Sequence, residues 1–109
     1  MDTPKLEGAD LDAAVADLLG DALPDYWRDP DDGTCWARPG REEWKPSERW
    51  EQGGPIIERE RIEIGPIHLR PNVGTRWWAF KSPGVRIEAD TPLVAAMRAF
   101  VASRGNQAA

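Results

Sequence analysis

The placement of two helical blocks on either side of strand-like sequence constrains this fold more than any other feature. They occupy residues 50–62 and 91–103, and each carries its own apolar face. In the second block Thr91 is placed to N-cap the helix and Pro92 to follow at N1, where a missing N–H costs nothing. Leu93, Ala96, Met97 and Phe100 then recur at helical spacing, flanked by Val94 and Val101. Arg104 suits the C-terminal dipole and Gly105 a C-cap, so the spacing predicts a helix over 92–104 with a frayed tail at 105–109.

The first block is less regular. Ser47 can N-cap a helix over about 48–60 whose face holds Trp50, Gly53, Gly54, Ile57 and Arg61. Pro55 either kinks that helix or sits at N1 of a shorter one. The continuous face favours one kinked helix, with the glycines allowing close approach to a sheet.

Between the blocks, residues 62–69, 76–81 and 85–89 alternate or are rich in strand-favouring aromatics. Gly65-Pro66 breaks the alternation of the first run and predicts a bulge or bend in an edge strand. Asn72-Val73-Gly74 and Ser82-Pro83-Gly84 are turns, so the three runs form an antiparallel meander. Trp50, Trp78 and Phe80 are assigned to core faces. Ahead of the blocks, Leu11, Ala14, Val15, Leu18 and Leu19 mark a helix over 10–19, with aspartates opposite, Asp10 as N-cap and Gly20 at C′. Residues 21–46 are a Pro/Trp-rich loop, too long to stay unanchored in a compact domain, with a short strand or hairpin conceivable near Thr34–Arg38. The fold class is α+β: one domain over 1–109, a small three-stranded antiparallel sheet with flanking helices, ordered α-α-β-β-β-α and sandwich-like.

The net charge of −5 is unevenly spread. Residues 1–33 hold ten acids against Lys5 and Arg28, a net −8; the remainder is +3. An acidic third repels phosphate backbones and anionic lipid, so nucleic acid is an unfavoured partner. One cysteine, Cys35, excludes an internal disulfide. The start lacks the apolar core of a signal peptide, and no apolar run approaches a membrane span, so the expected location is the cytoplasm, without a membrane partner.

With these elements placed, Pro46, Ser47, Trp50 and Gln52 through Glu60, followed by Thr91, Pro92, Leu93, Ala95 to Arg98 and Phe100 to Ser103, resemble the NinX-type family of small tailed-phage and prophage proteins. The matching residues cover about a quarter of the chain. The resemblance implies a phage accessory protein and an α-β-α arrangement, and carries no biochemical activity. The insertion at 21–46 departs from the family pattern.

Catalytic and metal chemistry find little support. Cys35 with His68 is the one conceivable nucleophile–base pair, and neither sits in a nucleophile motif. Asp29, Asp31 and Asp32 read as a solvated acidic turn, because Gly33 follows at the wrong offset for a calcium loop. Gly53-Gly54-Pro55 lacks the lysine and hydroxyl of a phosphate loop. Glu58 to Arg61 with Arg98 read as an ion-paired helix surface. No catalytic residue, metal or cofactor is assigned.

The indoles are more informative, since six tryptophans stand against one tyrosine and two phenylalanines. Trp27, Trp36 and Trp44 each have a cation nearby in sequence: Arg28, Arg38 and Lys45. Such pairs can staple a loop to its own domain or form interface hot spots. Stapling is the first expectation, with an interface role for at least one indole the sharper alternative. The chain therefore reads as a non-enzymatic module for an unidentified host or phage protein. Its candidate binding residues are Trp27, Arg28, Trp36, Arg38 and Trp44, and self-association remains open. The alternative is a nucleic-acid accessory factor using Arg59, Arg61, Arg70, Arg76 and Arg86, with Trp77 for stacking.

Overall fold

A computed structural model describes residues 6–20, 26–37, 42–68, 75–82 and 84–108. The chain runs α1 (Gly8–Leu19), β1 (Trp27–Arg28), β2 (Cys35–Ala37), β3 (Glu42–Glu43), α2 (Trp50–Glu60), β4 (Glu63–His68), β5 (Thr75–Lys81), β6 (Val85–Ala89) and α3 (Pro92–Ala108). The α+β class and the β4-β5-β6 antiparallel meander are as expected. A second antiparallel sheet, β1-β2-β3, is added within the segment assigned to a loop. The strand conceived near Thr34–Arg38 is its central strand.

Helix α3 is the centre of the molecule. Thr91 Oγ1 accepts the Val94 N–H at 3.2 Å, completing the expected cap. Leu93, Ala95, Ala96, Met97, Ala99 and Phe100 are all buried, a wider face than one stripe. The width follows from position: α3 packs on all three strands of the β4–β6 sheet and also on α1 and α2. Small alanines let neighbours approach from both sides. The helix continues through Gly105 to Ala108, where an end at 104 was expected. A helical glycine costs only about 1 kcal/mol and ends a helix only when it turns left-handed. Arg104 serves α2 rather than its own helix end, bonding Glu60 at 3.0 Å and lying over the Phe100 ring.

Three expectations about the second block are corrected. Helix α2 starts after Arg49, which supplies no side-chain cap, and Ser47 is buried in the preceding turn rather than at the cap position. The helix is single and contains Pro55, as preferred from the sequence. Its buried face is Gln52, Gly53 and Ile56, whereas Trp50 is 50% exposed. Gly53 does permit close approach, but to the Pro46 carbonyl and Leu93 rather than to a sheet; a Cβ there would lie 2.5 and 2.7 Å from them. Nothing lies within 4 Å of a Cβ at Gly54. Arg61 ends the helix in the left-handed region, with φ 54°.

The β4–β5 register runs without interruption from Glu63↔Phe80 to His68↔Thr75, so Gly65-Pro66 makes no bulge. Proline is accommodated because β4 is an edge strand. Gly65 is instead needed for space, since a Cβ there would lie 2.5 Å from the Trp78 ring. The phase of β5 is opposite to the one assigned. Trp77 and Ala79 join the core beneath α3, so Trp78 and Phe80 occupy the other face. β6 alternates as expected, with Val85 and Ala89 buried and Arg86 and Glu88 exposed. The turn before it closes at Gly84, φ 96°. The turn assigned to Asn72–Gly74 lies outside the described residues.

Helix α1 begins at Gly8, with Glu7 rather than Asp10 at the cap position, and ends at Gly20 as expected. Arg98 of α3 holds its start, donating to the Leu6 carbonyl at 2.9 Å and to Glu7 at 3.3 Å. Asp12 is only 1% exposed, although the helical spacing sets the aspartates opposite the apolar stripe.

Candidate functional site

The β1–β2 hairpin is built by its acidic turn. Asp29 Oδ1 accepts the Asp31 N–H, Asp32 Oδ1 accepts the Thr34 N–H, and Gly33 adopts φ 77°. These carboxylates satisfy turn donors, as aspartates in tight turns commonly do. The Thr34 N–H holds Asp32 below the usual carboxylate range. Among the described residues, no group of three or more His, Cys, Asp or Glu is placed to hold a metal.

The register pairs Trp27 with Trp36, and Trp36 with Glu43. Alternation therefore puts Trp27, Trp36 and Glu43 in one cross-strand row, with Arg28 and Cys35 on the reverse. The reverse faces α1. Arg28 bonds Asp10 at 2.8 Å and the Gly33 carbonyl at 2.9 Å, while Cys35 lies 3.6 Å from the Ala9 carbonyl. The Asp10 carboxylate beside it raises the Arg28 guanidinium pKa. Tyr26 donates to the Cys35 thiol at 3.3 Å; burial first, and then this bond, raise the phenol.

The indoles consequently divide. Trp27 and Trp36 stack with ring centroids 6.4 Å apart and planes 20° from parallel, and Trp27 is half exposed. Trp44 is buried and donates through Nε1 to the Asp12 carbonyl at 3.0 Å. Trp44 thus staples the segment as expected, whereas Trp27 and Trp36 present a surface. Arg28 is committed to the domain's own turn and helix rather than to an indole. Arg38 lies outside the described residues.

Below this row, Asp12 ties α1 to the approach to α2. Its carboxylate accepts the buried Ser47 N–H at 3.0 Å. Burial pushes the Asp12 carboxyl up, against the Ser47 bond, which favours the charged form. A cleft of about 180 Å³ opens between α1 and the first sheet, lined by Asp12, Asp32, Thr34, Glu43, Lys45 and Glu48 among others. Lys45 bridges Glu43 at 3.2 Å and Glu48 at 3.7 Å, and these carboxylates raise its pKa. The spacing of charges in sequence gave no sign of a buried Asp12, because its partner is 35 residues away.

Other candidate groups do not converge. Cys35 lies in the first sheet and the backbone of His68 ends β4 in the second. Arg59 pairs with Glu60, Glu60 with Arg104, and Arg98 with Glu7. Of the basic set, Arg76 and Arg86 share the outer face of the second sheet, paired with Asp90 and Glu88. Trp78, not Trp77, lies between them. Arg70 is outside the described residues.

The sequence matches the family described as Bacteriophage P22, NinX over residues 2–104. The chain belongs to this family. The match runs through the acidic helix, the first sheet and the indole row, so the segment that departs from the quoted motif still lies within the family's extent. The fold is similar to a phage protein from Bacillus cereus ATCC 14579, known from a 2.0 Å crystal structure. That likeness has a TM-score of 0.55 at 15% identity and covers 94% of this chain and 97% of the other. No curated protein matches the sequence. No described helix is long and apolar enough to cross a membrane.

Proposed function

We propose that this phage-family chain is a non-enzymatic accessory protein that binds a host or phage protein through the outer face of its first sheet. The observation carrying this reading is the stacked Trp27–Trp36 pair, with Trp27 half exposed and Trp36 partly buried, on a sheet whose reverse side is fixed to α1. Large aromatics held rigidly at a surface lose little entropy on binding and dominate interface energies. The fixed turn at residues 29–34 supplies that rigidity.

A photo-crosslinking amino acid at Trp36, expressed during phage infection, tests the proposal against the same group at exposed Glu58. A discrete protein adduct at position 36, absent at 58 and lost with Trp27→Ala, is expected. Adducts of equal intensity at both sites, or none at 36, refute it.

A further inference from the structure

We propose that the outer face of the β4–β6 sheet is a self-association surface on which a second copy of this chain packs. Helix α3 covers one face of that sheet, and no other described helix or strand covers the opposite one. The register fixes what the open face shows. Glu63, Phe80 and Arg86 form one cross-strand row, and Gly65, Trp78 and Glu88 form the next; Ile67 and Arg76 begin a third. Trp78 lies across Gly65, where a Cβ would meet its ring at 2.5 Å. Phe80, Trp78 and Ile67 thereby make a flat, part-exposed apolar strip bordered by charge.

The border identifies the occupant. Glu63 stands on edge strand β4 and Arg86 directly across on edge strand β6. A twofold axis parallel to β5 lays β4 of one copy over β6 of the other. Glu63 then meets the partner's Arg86, and Arg86 meets the partner's Glu63. The same rotation brings Phe80 and Trp78 onto their own counterparts, as an isologous interface requires. Arg76 falls near the axis, with its charge offset by Asp90 at 2.9 Å. Arg86 gives one nitrogen, Nη1, to Glu88, and a guanidinium has donors for a second carboxylate.

Strands of six, seven and five residues span roughly 300 Å² per copy at about 3.3 Å rise and 4.8 Å spacing. A stable complex covers about 800 Å² per partner, so the dimer is weak and reversible. Sedimentation equilibrium from about 10 to about 500 micromolar spans the range expected of such an interface. The native chain should pass from monomer to dimer there. Glu63→Arg and Arg86→Glu should each weaken association about tenfold or more, since like charges then oppose twice. An equimolar mixture of E63R and R86E should recover native association, because every cross-copy pair is again of opposite sign. Both positions are exposed, so circular dichroism should be unchanged. A native chain that stays monomeric throughout, or a mixture that associates no better than its components, overturns the proposal.

Discussion

Replacing Asp12 by alanine removes the acceptor of a buried Ser47 N–H while leaving the Asp12 carbonyl that receives Trp44 Nε1. An orphaned buried donor costs about 1–3 kcal/mol; Asp12 is 1% exposed, and the adjoining cleft gives water a route that keeps the cost below the upper end. About 2 kcal/mol is therefore expected, or a fall in Tm of roughly 8 °C at about 4 °C per kcal/mol. Asp12→Asn keeps an acceptor and buries no charge, so it should stay within about 1 kcal/mol of native. The two variants also differ in pH dependence. Burial raises the folded carboxyl above its ordinary 3.8, so the folded chain holds a proton that the unfolded chain releases. The stability this proton contributes is complete below 3.8 and is lost as pH rises through the folded value. Relative to native, Asp12→Asn should accordingly gain stability across that window. Urea midpoints of the three proteins from pH 4 to pH 7 read both effects. An alanine variant as stable as native, or an asparagine variant damaged as badly as alanine, would refute the reasoning.

The adjacent glycines of α2 should respond in opposite directions in thermal melts. Gly53→Ala drives a Cβ into the Pro46 carbonyl and Leu93 and should cost about 2–3 kcal/mol, whereas Gly54→Ala meets open space and should stabilise by about 0.5–1 kcal/mol. Arg61→Gly relieves a left-handed residue at the helix end and should raise the urea midpoint by the equivalent of about 1 kcal/mol. Gly65→Ala should displace the Trp78 indole, changing near-ultraviolet circular dichroism and costing about 1–3 kcal/mol. An unchanged aromatic spectrum would contradict the packing described for that face.

Local chemistry determined much of the fold. Thr91-Pro92 starts α3 because a cap and a missing N–H act within one turn, and Gly20 ends α1 for the same local reason. The β6 alternation and the tight turns around it needed no distant partner. Family membership was legible too, since the motif is a run of residue identities in two local blocks, whatever cap or face each residue takes up. Tertiary structure decided the rest. β5 carries Trp77, Trp78 and Phe80 on both faces, so its period has no phase until α3 settles on Ala79. β1 and β3 are two residues long, below any periodic signal, and exist only through pairing with β2. Asp12 looks like its solvated neighbours until Ser47 arrives from 35 positions away. The indoles at 27, 36 and 44 are alike in composition and context. Strand register, a long-range property, turns Trp44 inward and leaves Trp27 and Trp36 stacked at the surface.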